Sequence, residues 1–166
     1  LQPARIHYWR IGDLFLAILL LESEIKIAHK YVKLENDQVV APADIWEQYE
    51  WHRWENHGQH TISFIPMMPP LSVIIKSEEP FNFVAKTFKR IYVKMPVWIK
   101  IALGDQQQHA LDQFATVKLS RTWFGTFAAG EVCYWISSSL KPFYEATAKK
   151  YLAICPLQLY NASQDT

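Results

Sequence analysis

Residues 14–34 read LFLAILLLESEIKIAHKYVKL, and the period of their apolar side chains decides the fold. Leu14, Ala17, Ile18, Leu21, Ile25 and Ala28 recur at helical spacing, and Asp13 stands where an N-cap residue would accept a backbone amide hydrogen. The spacing predicts a core helix beginning after Asp13. A polar turn, ENDQ at 35–38, follows it, and Pro42 with Asp44 opens a second helix that Gly58 can close.

Outward from there the texture changes. HTISFIP at 60–66, LSVIIKS at 71–77 and FNFVAKTFKRIYVKMP at 81–96 are β-rich runs split by Pro66, Pro69, Pro70, Pro80 and Pro96, which read as an antiparallel sheet. The polar break GDQQQH at 104–109 leads into a predicted helix carrying Leu111, Phe114, Val117 and Leu119. Pro142 starts another through FYEATAKKYLAI at 143–154. With no internal repeat or long linker, the expected architecture is α+β: a single domain over 1–166, with helices packed on one side of an antiparallel sheet.

The chain has 166 residues, half of them hydrophobic, which is enough for a core, and a formal net charge of +1, which selects no polyanionic partner. Cys133 and Cys155 are too few and too far apart for a disulfide framework or a closed zinc site, so the cytoplasm or another reducing compartment is expected. The longest apolar run, Leu14–Leu21, falls short of the roughly 20 residues of a membrane helix, and a soluble protein without a membrane span is expected. The first residue is Leu1 rather than Met, which leaves a cleaved targeting segment open.

Two stretches offer chemistry. On the second predicted helix, Ile45, Trp46 and Tyr49 fall on one side while Trp51 and Trp54 fall nearly opposite, which makes Trp51 and Trp54 candidates for a protein partner. The nearby His52, His57 and His60 match no established zinc spacing, and neither metal nor cofactor is expected. From Phe81 to Gly104 there is no acidic residue, and in an extended chain Lys86, Phe88, Arg90 and Tyr92 share one face. Cations alternating with rings suit a flat anion, so these four are the candidate contacts of a small aromatic carboxylate. There is no phosphate-binding glycine loop and no nucleophile elbow, and no catalytic residue is assigned.

Taken in order, LLLES at 19–23, WEQYE at 46–50, EEPFNFVAKT at 78–87, ALG at 102–104, ALDQF at 110–114, LSR at 119–121 and YLAICPLQLY at 151–160 resemble stretches of bacterial chorismate lyase, nearly end to end. The resemblance implies a single α+β domain and a cofactor-free pocket that releases pyruvate from chorismate. It also departs from that family. Lys86 stands where the family's strand bears an arginine, Pro69, Pro70 and Leu71 occupy the neighbourhood of a second, and Lys150, Tyr151 and Pro156 lie where a glutamate is wanted. Lysine lacks the bidentate fork of arginine, so the resemblance leaves two forms open here, a pocket that releases pyruvate from chorismate and one that binds a small aromatic carboxylate without turning it over. The alternative is a non-catalytic interaction or accessory subunit docking through residues 45–54, with nucleic-acid binding ranked last.

Overall fold

Gly12 and Asp13 connect two strands and do not cap a helix. Ile11 pairs with Leu14, and Gly12 lies at φ 67; a glycine with positive φ at the first position of a two-residue connection is what a tight hairpin requires. The computed structural model describes residues 2, 4–32, 50–58, 61–104, 109–142 and 150–164. Its strands are β1 (Ile6–Ile11), β2 (Leu14–Leu20), β3 (Glu24–Tyr31), β4 (His52–Glu55), β5 (Ile62–Met67), β6 (Val73–Ser77), β7 (Phe88–Pro96), β8 (Trp98–Leu103), β9 (His109–Ala115), β10 (Ser120–Gly125), β11 (Gly130–Ser138) and β12 (Leu152–Tyr160).

Among the described residues the fold is all-β, which corrects the α+β expectation and its helices packed on a sheet. The reason lies in residues 14–20. Leu14, Leu16, Ile18 and Leu20 are all 0% exposed on one face of β2, while Ala17 is buried on the other with Phe15 half-buried beside it. A strand covered on both faces is apolar throughout, and a continuous apolar run satisfies three- and four-residue spacing as readily as two-residue spacing. The break comes at Glu22 and Ser23, where Leu21 N–H donates to the Glu24 carbonyl at 2.9 Å and the chain reverses into β3.

The other predicted helices fare similarly. Residues 33–49 lie outside the described set, but the described end of the second, His52–Glu55, is strand paired with β3. Leu111 and Phe114 sit in β9, and Leu152, Ala153 and Ile154 sit in β12, while 143–149 lie outside the described residues. The three β-rich runs do form β5, β6 and β7. They do not pair with one another, however: β5 joins β8, β7 joins β12, and β6 lies parallel to β11. Among the described residues no helix is long and apolar enough to cross a membrane.

The chain divides into two compact units, Leu1–Met68 with Trp98–Lys118, and Pro69–Val97 with Leu119–Thr166. In the first, the antiparallel sheet β1-β2-β3-β4 shares a core with the sheet β5-β8-β9. Leu14, Leu16, Ile18, Leu20, Ile25 and Ile27 meet Ile101, Leu103 and Phe114, each fully buried side chain contributing about 1.5–3 kcal/mol. A bulge between Ile101 and Ala102 in the β8–β9 ladder places both Leu111 and Asp112 beside one partner position. The second unit holds the sheet β10-β11-β6 and the nine-pair ribbon β12-β7, with Ile91, Val93, Cys133, Tyr134 and Ile136 buried.

Candidate functional site

The second unit contains a cavity of about 230 Å³ lined by Phe81, Lys89, Arg90, Ile91, Leu140 and Pro142. Its floor and its charge come from β7. Ile91 and Val93 turn into the core, as alternation predicts, while the outer end of the strand, Phe88 to Arg90, is exposed. The lining holds, among the described residues, two cations and no carboxylate. Among the described residues neither the Lys89 nor the Arg90 side chain has a hydrogen-bonding or ion-pair partner, so both charges are available to an anion.

The four residues chosen from alternation are not brought together. Arg90 lines the cavity. Lys86 is used structurally: at φ 56 it turns the chain, its backbone N–H donates to the Asn161 carbonyl at 2.8 Å, and its ammonium donates to the Ala162 carbonyl at 3.1 Å. Phe88 stacks on Tyr160, with ring centroids 4.5 Å apart. Tyr92 is held by a backbone bridge to Lys141, its N–H donating to the Lys141 carbonyl at 2.9 Å. The reading by alternation assumed a strand through residue 86, whereas β7 begins at Phe88. Lys89 was missed because alternation puts it on the face opposite Arg90, and Phe81 because it precedes the strand, although both belong to the acid-free segment that drew attention to the region.

Trp51 and Trp54 lie at β4 and pack against different clusters. Trp54 lies against the main core of the first unit, and Trp51, like Ile6 and Phe15, against Ala17 and Ala28 on the other side of the sheet. The helical wheel placed them together; at two residues per repeat, positions three apart point to opposite faces.

A second polar cluster is built into the first unit. His52 on β4 contacts Asp112 on β9, Nδ1 to Oδ2 at 3.1 Å. His29 on β3 packs on Phe114 at 4.3 Å between centroids and lies 6.2 Å from His52. Burial lowers the pKa of His29; the charge of Asp112 works against that shift, and His52 adds to it. A carboxylate-oriented imidazole beside a desolvated one can hold and exchange a proton. His57 lies 3.7 Å from Glu55 on the surface, and His60 is outside the described residues. Among the described residues no group of three or more His, Cys, Asp or Glu side chains is arranged to hold a metal ion.

The resemblance to chorismate lyase is overturned twice over, by an all-β fold where that family implied α+β and by comparison with known families. No curated protein and no solved structure matches the chain. The model of one family, DUF432, a protein of unknown function, matches residues 1–166, and the chain belongs to that family.

Proposed function

We propose that the second unit binds a small carboxylate, aromatic by preference, in the cavity beside β7, without turning it over. The observation that carries this reading is the convergence of Lys89, Arg90 and the Phe81 ring on one cavity whose described lining has no acidic group. Arg90 supplies a planar fork for a carboxylate and Lys89 a point charge, while Phe81, Ile91, Leu140 and Pro142 supply apolar walls. At about 230 Å³ the space suits a ligand smaller than a drug-sized molecule. Among the described residues its lining offers the Lys89 amine but no acid–base pair, which supports binding as the reading.

The test is thermal unfolding with and without millimolar benzoate and 4-hydroxybenzoate, since a ligand that binds only the native state raises the midpoint. A saturable rise that disappears in Arg90→Ala and persists in Lys86→Ala supports the assignment. Losing one charge-assisted contact costs about 1.5–3 kcal/mol, well within reach of a titration. No shift with either compound, or equal loss in both variants, sinks it.

The interaction reading takes a narrower form. Trp51 and Trp54 belong to opposite sides of their sheet, so a partner on one face engages one of them, and Trp51, outside the main core, is the one to substitute.

A further inference from the structure

The β10–β11 hairpin exposes more aromatic surface than its role in the sheet explains. Every residue of β10 is exposed. Trp123 is 52% exposed, Phe124 61%, and Phe127, at the tip between the strands, 102%. Register assigns their directions: Trp123 pairs with Val132 on one face, Phe124 with Glu131 on the other, and the glycine pair Gly125–Gly130 closes the ladder below the tip. Apolar side chains thus project from both faces of the ribbon and from its end.

The tip is also built to hold this shape. A Cβ on Gly130 would lie 2.4 Å from Trp123 Nε1, so the absent side chain is what lets the indole lie across the partner strand. The indole N–H donates to the Thr126 carbonyl at 3.1 Å, and Ala129 N–H donates to the Thr126 hydroxyl at 3.1 Å and to its carbonyl at 3.2 Å. These two donors, the indole N–H and the Ala129 N–H, are met from within the turn, as a polar group that leaves water requires.

Charge follows the same pattern. Thr122 to Gly130 contains no ionisable side chain, and the first charges on either strand are Arg121 and Glu131, one of each sign. We propose that this hairpin inserts shallowly into the surface of a lipid bilayer, with Phe127 reaching the acyl boundary, Trp123 and Phe124 at headgroup depth, and Arg121 and Glu131 among zwitterionic headgroups. A bilayer is favoured over a second copy of the chain because only a medium that surrounds the tip covers both faces and the end. Pairing of β10 with another β10 through its free edge would leave Phe127 in water. Shallow insertion also fits the aromatic preference of the membrane interface and leaves Glu131 hydrated.

Flotation of the full chain with phosphatidylcholine vesicles tests this. The expected result is co-flotation that changes little between low and high salt, because no net charge drives it. Phe124→Ser with Phe127→Ser weakens partitioning by about tenfold or more, since two aromatic burials are lost, while Phe127→Trp retains it. Both positions are exposed, and circular dichroism confirms that the variants fold. Three results overturn the proposal: no flotation at millimolar lipid, flotation unchanged by the double substitution, or flotation only with anionic vesicles and abolished by salt. A dimer in sedimentation that the double substitution dissolves, without lipid binding, also overturns it and assigns the surface to self-association.

Discussion

Strands β2 and β10 both carry large apolar side chains and meet opposite fates. β2 is apolar throughout, whereas β10 sets Trp123 and Phe124 beside Ser120, Arg121 and Thr122, and Gly125 ends it at the connection to β11. β2 lies between β1 and β3, and its Leu14, Leu16, Ile18 and Leu20 vanish into a two-sheet core. Among the described residues β10 is an edge strand with β11 as its one sheet neighbour, and all six of its residues are exposed. Apolar content therefore says how much surface is available to bury, and position in the sheet says what does the burying. Where a second sheet supplies the cover, the result is stability; where nothing in its own unit does, the same chemistry becomes binding capacity.

The sharpest way to test that contrast is to truncate each strand in turn. Leu16→Ala removes a side chain that is 0% exposed in the centre of the first unit's core, and the cost is about 2–5 kcal/mol, read from the shift of the urea midpoint. An effect below about 1 kcal/mol would mean that the two sheets of that unit do not pack as described. Gly130→Ala comes next. The new Cβ displaces the Trp123 indole from the strand and breaks its bond to the Thr126 carbonyl, at a cost of about 1 kcal/mol. The checkable signature is local: the Trp123 indole N–H resonance shifts and exchanges faster with solvent.

How far this was legible in the sequence follows from the same contrast. The runs that became β5, β6 and β7 announced themselves because prolines bound them and β-branched and aromatic residues fill them. Residues 14–20 did not, because burial on both faces erases the period that separates strand from helix; the Gly12-Asp13 connection was the usable signal, and Asp13 as a helix cap competed with it. In the cavity, Arg90 was readable from strand alternation, whereas Phe81 enters from the segment before the strand. The His29, His52 and Asp112 cluster depends on pairing across two sheets. His52 and Asp112 are 60 residues apart in sequence, and no local pattern connects them.

That cluster gives the comparison a pH axis, since it sets a half-buried histidine against a hairpin tip with no ionisable group. Burial lowers the pKa of His29 below its ordinary 6.5, so between the folded value and 6.5 the unfolded chain binds more protons than the native one. Stability is then fully present above about pH 6.5 and falls as the pH drops through the folded pKa. Urea midpoints measured from about pH 7.5 down to about pH 5 should decline over that window, and His29→Gln, which cannot titrate, should flatten the part of the decline that His29 contributes. A wild-type profile that rises as the pH falls there would show that Asp112, whose charge favours protonated His29, outweighs burial.

The smallest effect expected is the one that isolates binding from folding. Phe127 is wholly exposed, and the hydrogen bonds of its turn run through Thr126, Ala129 and Trp123, so its ring holds nothing in place. Phe127→Ser should leave the urea midpoint within about 0.5 kcal/mol of the parent, as surface substitutions away from structural features do. A loss several times larger would show that the ring packs in solution, and the tip would then be covered as β2 is. If the change stays small, conservation of stability at Phe127 and its collapse at Leu16 come from the same kind of side chain, and cover alone separates them.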